Sequence, residues 1–137
     1  MASIILAEDY VLVRQGLRRI IQEDPAVQVT HETGDGLMLL ALLKESSPDM
    51  VILDISMPRL GGLEAAQIIK TQYPTIKIMI LTMHRGKIFL KKALEIGVDG
   101  YILKEEADTV LIMPLQRFSR TRLIFHLCLS DELRMID

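Results

Sequence analysis

The sequence contains a single cysteine, Cys128, no tryptophan and only 4% aromatic residues. One cysteine excludes an intrachain disulfide and is typical of a reducing compartment, so we expect a cytoplasmic protein. No apolar run approaches the roughly 18 residues that a membrane-spanning helix needs, and the N-terminus does not resemble a signal peptide, so we expect no membrane contact. The net charge of −2 gives no overall argument for nucleic-acid binding.

What the sequence does contain is a regular alternation of short apolar runs and segments with helical spacing of apolar residues. This alternation predicts βα units and a parallel sheet within one globular domain. The predicted strands are Ser3–Ala7, Val27–His31, Met50–Leu53, Lys77–Thr82 and Gly100–Leu103. The predicted helices are Val11 to Gln22, Leu37 to Lys44, Leu63 to Gln72 and Lys87 to Ile96, with a fifth beginning near Ala107.

Charged side chains follow three of these strands at the points where the strands end. Glu8 and Asp9 follow the first strand, Asp54 follows the third and Lys104 follows the fifth. Ligands of open α/β sheets bind at the carboxyl ends of the strands. Three carboxylates and one ammonium group at this edge predict a site for Mg²⁺ and a phosphoryl group. Asp54 is then the candidate phosphoryl acceptor, a carboxylate nucleophile.

Taken in order along the chain, these residues resemble the receiver domain of two-component response regulators. The matching motifs are Glu8-Asp9, Asp54, Met57-Pro58, Gly62-Leu63-Glu64, Thr82, and Gly100-Tyr101 with Lys104. The segments 12–17 and 93–101 are similar to the LuxR-type subfamily. The resemblance implies a doubly wound α/β fold, flavodoxin-like, with five parallel strands in the order 2-1-3-4-5 and helices on both faces.

The same resemblance implies a signalling switch that is not an enzyme except toward its own phosphoryl group. It implies Mg²⁺ as the cofactor and a sensor histidine kinase as the partner. It also implies that Thr82 moves toward the phosphoryl group while Tyr101 rotates inward, which changes the surface of the fourth helix, fifth strand and fifth helix. Ser56 and His84, two residues beyond Asp54 and Thr82, are expected to tune dephosphorylation, with ordinary exposed loop positions as the alternative.

The residue chemistry agrees with these roles. Asp9 and Asp54 are expected to bind Mg²⁺ directly, Glu8 through water, and the main-chain carbonyl of Ser56 can add a neutral oxygen. The Thr82 hydroxyl and the Lys104 ammonium are expected to donate to phosphoryl oxygens. These two groups and Asp54 make up the predicted catalytic set.

The C-terminal segment departs from the family pattern. Residues 1–112 are predicted to form the receiver core and residues 113–137 an atypical tail, because Pro114 disrupts a continuous fifth helix. The apolar segment 123–129 is expected to dock on this domain or on a second copy, giving a possible homodimer. No helix-turn-helix fits after the core within 137 residues, so we expect contact with DNA only through a domain absent from this chain.

Several alternatives stay open at this point. Asp54 could be a turn residue, and Glu8-Asp9 could cap the first helix. The chain could be an aspartate-nucleophile phosphohydrolase of the haloacid-dehalogenase kind, although Ser56 occupies the position of that family's second aspartate. It could also be a degenerate receiver that serves only for docking, although Glu8, Asp9, Asp54, Thr82 and Lys104 are all present.

Overall fold

The computed structural model describes residues 2–82 and 87–103, with the backbone alone at 102 and 103. The elements in these ranges are β1 (Ala2–Ala7), α1 (Val11–Ile21), β2 (Val27–Thr33), α2 (Gly36–Glu45), β3 (Met50–Asp54), α3 (Gly62–Gln72), β4 (Lys77–Thr82), α4 (Lys87–Ile96) and β5 (Gly100–Leu103). Every predicted strand and the first four predicted helices are present, with ends within two residues of those expected. The predicted fifth helix and the atypical tail lie outside the described residues. None of the described helices combines the length and apolarity that a membrane span requires.

The five strands form one parallel sheet in the order β2-β1-β3-β4-β5. This order confirms the predicted flavodoxin-like fold. β1 and β3 are neighbours although a whole βα unit separates them in sequence. Since all strands run the same way, the residues that follow them meet at one edge of the sheet.

The sheet separates two apolar cores, because successive side chains of a strand point to opposite faces. On one face, Val51 and Leu53 pack in a cluster with residues of α2, α3 and α4, such as Leu39. On the other face, Ile52 packs in a cluster with Leu17 of α1. β3 is buried along its whole length, which explains its unbroken apolar sequence. This rigid central strand carries Asp54 at its end.

An ion pair with a buried carboxylate lies at the amino ends of β4 and β5, at the opposite end of the strands from Asp54. The Asp99 carboxylate, 1% exposed, accepts hydrogen bonds from Lys70 Nζ at 2.6 Å and from the Ile78 N–H at 3.0 Å. A buried carboxylate is costly unless such donors compensate it. Asp99, which directly precedes β5, thereby connects α3 to the start of β4.

Candidate functional site

Three carboxylates converge where β1 and β3 end. One oxygen from each of Glu8, Asp9 and Asp54 lies within 4.8 Å of the others. Glu8 and Asp54 are 1% and 5% exposed, and Asp9 is half-buried. The cluster forms because β1 and β3 are adjacent parallel strands, so their final residues reach the same point. The structure therefore brings together the three acidic side chains that the sequence predicted at this edge of the sheet.

This cluster has the donor set of a divalent-cation site. Carboxylates at such distances repel one another unless a cation or proton lies between them. Oδ1 of Asp9 is buried and has no hydrogen-bond partner among the described residues. Buried acceptors normally have a partner, and hard cations such as Mg²⁺ bind carboxylate oxygens. The residues present fit a divalent cation.

The alternative that Glu8 and Asp9 cap the first helix is wrong. The N-cap residue of α1 is Tyr10, which makes no side-chain cap hydrogen bond, and the first turn of the helix contains no acidic residue. The acidic pair precedes the cap, in the short connection between β1 and α1. Its carboxylates project toward the end of β3, where they meet Asp54.

The remaining predicted site residues are distributed around this cluster. Thr82 ends β4, next to β3, and is fully buried. Ser56 is exposed in the loop that follows β3. Tyr101 is 2% exposed and packs in the core on the α2–α4 face of the sheet. Lys104 and His84 lie outside the described residues. The roles assigned to these five residues stay predictions.

The β3–α3 loop folds back tightly against the end of β3. The Gly62 N–H donates to the Ile55 carbonyl at 2.8 Å. A Cβ on Gly62 would lie 1.9 Å from the main-chain oxygen of Asp54, so a side chain is excluded there. Arg59 has a φ of 66°, a left-handed conformation that few non-glycine residues adopt. This close approach holds the first turn of α3 directly on the backbone of Asp54.

An ion pair connects this loop to α2. Arg59 Nε donates to Oδ2 of Asp35 at 2.8 Å, while Oδ1 of Asp35 accepts the Met38 N–H at 2.9 Å and caps the helix. The hydrogen bond from Met38, followed by that from Arg59, holds the pKa of Asp35 below its usual value of 3.8. Asp35 directly precedes α2, and an aspartate in that position is a strong N-cap signal in a sequence. Its pairing with Arg59, 24 residues away, has no such local signal.

This lowered pKa predicts an acid-dependent loss of stability. Because the folded-state pKa of Asp35 lies below its unfolded value, the contribution of the ionised carboxylate is present above about pH 4 and is lost as pH falls through the folded pKa. Asparagine keeps a cap oxygen but removes the charge. We expect Asp35→Asn to be less stable than wild type at neutral pH in urea unfolding, with the difference shrinking on acidification. A difference that grows toward low pH would contradict the assignment.

Arg14 also contributes to the site, since its Nη1 donates to the Glu8 carbonyl at 2.8 Å. No local pattern marks this contact, since it depends on how α1 packs against the end of β1. Gly62 was recognised in the sequence only as part of the Gly62-Leu63-Glu64 motif, whereas the close approach to Asp54 is what requires glycine there. A glycine that is needed for a turn and a glycine that is needed for a close backbone contact cannot be told apart from the residue type alone.

A parallel 2-1-3-4-5 sheet with an acidic cluster at its carboxyl edge defines a flavodoxin-like domain of the receiver class. The family model for the response regulator receiver domain matches residues 4–116. The chain therefore belongs to the response regulator receiver domain family, and the family predicted from its motifs is confirmed.

Similar proteins point the same way. The chain is 36% identical over 122 residues to the uncharacterized transcriptional regulatory protein YxjL of Bacillus subtilis (strain 168), covering 89% of this chain and 56% of that protein. A crystal structure of a LuxR-family two-component response regulator from Aurantimonas sp. SI85-9A1 is similar with a TM-score of 0.81 and 35% identity, covering 86% of this chain and 84% of that one. RcsB from Salmonella enterica serovar Typhimurium, bound to a promoter in the presence of phosphomimetic BeF3-, is similar with a TM-score of 0.85 and 26% identity, covering 97% of this chain and 67% of that one. The chain spans about half the length of the curated relatives it matches.

Proposed function

We propose that this chain is a phosphorylation-controlled switch in which Asp54 accepts a phosphoryl group. The observation that carries the proposal is the convergence of Asp54 with Glu8 and Asp9 at the carboxyl ends of β1 and β3. A lone aspartate at a strand end is better explained as a turn residue. Two further carboxylates within 4.8 Å, in a chain that belongs to the receiver family, favour a reactive site instead.

The proposed step is a transfer between a donor and the Asp54 carboxylate. A carboxylate oxygen of Asp54 attacks the phosphorus, the bond from phosphorus to the donor's nitrogen or oxygen breaks, and the electron pair leaves with the donor. The product is an acyl phosphate on Asp54. The burial of Asp54 keeps its carboxylate in one orientation at the end of a rigid strand, and phosphoryl transfer depends mainly on such positioning and on charge neutralisation.

We assign Asp9 and Asp54 as direct ligands of Mg²⁺, Glu8 as a ligand through water, and the Ser56 carbonyl as a neutral ligand. Oδ1 of Asp9, which is buried and accepts no hydrogen bond from the residues the structure describes, supports the place of Asp9 among the direct ligands. Bound Mg²⁺ would supply positive charge that neutralises the carboxylates and the incoming phosphoryl oxygens.

The other roles follow the family pattern. We propose that Thr82 and Lys104 donate to the phosphoryl group, and that Thr82 and Tyr101 transmit the change to the surface of α4, β5 and the predicted fifth helix. We also propose that Ser56 and His84 tune the lifetime of the acyl phosphate. The added charge of about −1.5 to −2 would bias a two-state equilibrium. The burial of Thr82 at the end of β4, next to the strand of Asp54, supports its assignment.

For the wider context, we propose a sensor histidine kinase as the phosphoryl donor and control of transcription as the output. The relatives' description as transcriptional regulators supports that output. We divide the chain into a receiver core, residues 1–112, and a tail, residues 113–137, through which a homodimer could form. The DNA contact would belong to a separate output domain.

The test is intact-mass analysis of wild-type protein after incubation with acetyl phosphate. We expect one added phosphoryl group in the presence of Mg²⁺ and none when EDTA removes divalent cations. A small phosphomonoester such as p-nitrophenyl phosphate should not be turned over. Absence of labelling would contradict the switch, and multiple turnovers of the phosphomonoester would favour the phosphohydrolase. If acetyl phosphate and a kinase both fail to label an intact protein, the docking-only alternative is favoured.

A further inference from the structure

The peptide that carries Glu8 and Asp9 is held from two sides. The Glu8 N–H donates to the Thr33 carbonyl of β2 at 2.9 Å, in the pattern of the parallel ladder. Were the ladder to continue, the Glu8 carbonyl would accept from the N–H of Asp35. That N–H is directed to the Thr33 hydroxyl at 3.3 Å instead, because β2 ends at Thr33. The Glu8 carbonyl therefore lies just beyond the sheet's own hydrogen bonding.

Arg14 supplies the donor at this position. Its Nη1 donates to the Glu8 carbonyl at 2.8 Å, reaching back from the first turns of α1. Nε of Arg14 lies 3.6 Å from Oε1 of Glu32, whose other oxygen accepts from Arg18 Nη1 at 2.7 Å. The Arg14 side chain is 21% exposed and that of Arg18 is 50% exposed. Glu32 therefore forms ion pairs with both arginines, and Arg14 is the more buried of the two.

Gly34 makes room for this contact. A Cβ on Gly34 would lie 3.2 Å from Arg14 Nη1, a tight contact, and 3.5 Å from the Asp9 Cα, an ordinary van der Waals distance. The guanidinium thus occupies a narrow space bounded by the chain after β2 and by the acidic pair.

Arg14 has two opposite effects on metal binding at the acidic cluster. A cation next to a divalent-cation site weakens metal binding by Coulomb repulsion. The contact to the Glu8 carbonyl acts in the opposite direction, because it fixes the main chain from which two of the three carboxylates project. We propose that Arg14 is a positioning residue of the acidic site, acting through the Glu8-Asp9 peptide, with Glu32 orienting Arg14. This inference rests on the proposed function, since it assigns Mg²⁺ to the cluster.

The chain offers a matched control for the experiment. Arg14 and Arg18 lie one turn apart on α1 and both pair with Glu32, but the carbonyl contact belongs to Arg14. Arg14→Gln and Arg18→Gln each remove one positive charge from the same helix. Charge removal alone would leave Mg²⁺ affinity equal or slightly higher in both variants.

We expect calorimetric titration to show about tenfold weaker Mg²⁺ binding in Arg14→Gln, the lower end of the range for residues that orient metal ligands. Arg18→Gln should bind Mg²⁺ as wild type does, and Asp9→Asn should lose most of its affinity. Equal or tighter binding in Arg14→Gln would overturn the positioning role, because charge removal then accounts for the whole effect.

Two further readouts separate positioning from general loss of structure. In metal-free protein, hydrogen exchange of the Glu8 amide should be faster in Arg14→Gln than in Arg18→Gln. The rate of labelling by acetyl phosphate should return to the wild-type rate at saturating Mg²⁺. A rate that stays low at saturation, or unchanged exchange at Glu8, would contradict the inference. Failure of wild-type protein to be labelled at all would instead contradict the proposed function.

Discussion

Replacing Asp54 by asparagine is expected to abolish labelling by acetyl phosphate. Asp54 is the last residue of the fully buried strand β3 and is 5% exposed, so its carboxylate is held where the other two acids converge. An amide is not a useful nucleophile toward phosphorus, and it also lacks the charge that a metal ligand provides. Intact-mass analysis should show one phosphoryl group on wild type and none on Asp54→Asn.

The opposite end of the same strand supplies the control. Asp49 directly precedes β3 and accepts the Ser3 N–H at 2.8 Å. Asp49→Asn keeps an oxygen that can accept this hydrogen bond, and it removes the same charge as the Asp54 variant. We expect it to be labelled to the wild-type extent. Equal labelling of Asp54→Asn and wild type would place the acceptor elsewhere.

Gly62→Ala is expected to destabilise the fold by about 3 kcal/mol or more, near or above the usual upper limit for overpacking. The added Cβ would lie 1.9 Å from the Asp54 carbonyl oxygen, 2.7 Å from its carbonyl carbon and 2.9 Å from the Ile55 Cα. All three atoms belong to the backbone, so no side-chain rotation can relieve the overlap. The loop would have to move away from the end of β3. Urea unfolding followed by far-UV circular dichroism measures the loss.

Gly16→Ala is the matched control, with the opposite sign expected. Gly16 lies in the interior of α1, and nothing is found within 4 Å of a Cβ built on it. Alanine in a helix interior is more favourable than glycine by about 0.5–1 kcal/mol. Gly16→Ala should therefore unfold at a higher urea concentration than wild type. If Gly62→Ala remained within about 0.5 kcal/mol of wild type, the close approach would not be a structural requirement.

Local sequence patterns predicted the ends of strands and helices well where residues such as glycine mark those ends. β4, α4 and β5 have the predicted bounds. Gly97 directly follows the last residue of α4 and has a φ of 90°, the left-handed conformation in which glycine commonly ends a helix. β2 extends two residues beyond its predicted end, because Glu32 and Thr33 pair with Leu6 and Ala7 of β1. Of these two residues, Glu32 is uncommon in strands. Pairing with a central strand of the sheet outweighs the weak intrinsic preference of a residue for or against β-structure.

The acidic site was predictable for a specific reason. In a parallel sheet, residues that follow the strands meet at one edge, so locating the strands also locates Glu8, Asp9 and Asp54. The buried ion pair of Asp99 with Lys70 was not predictable in this way. These two residues are 29 positions apart, on the α4–β5 connection and on α3, and each one alone resembles an ordinary surface charge.

The sequence by itself determined the order of strands and helices, the class of fold through the resemblance, and the set of acidic residues at the sheet edge. The tertiary structure decided which contacts hold that edge together: Arg14 on the Glu8 carbonyl, Arg59 on Asp35, and Gly62 against the backbone of Asp54. The physical reason is the range of the interactions involved. Hydrophobic periodicity and turn chemistry act over a few neighbouring residues, and a short window of sequence contains them. A hydrogen bond from a long side chain to a main-chain oxygen depends on distances set by helix packing on the sheet, which no such window contains.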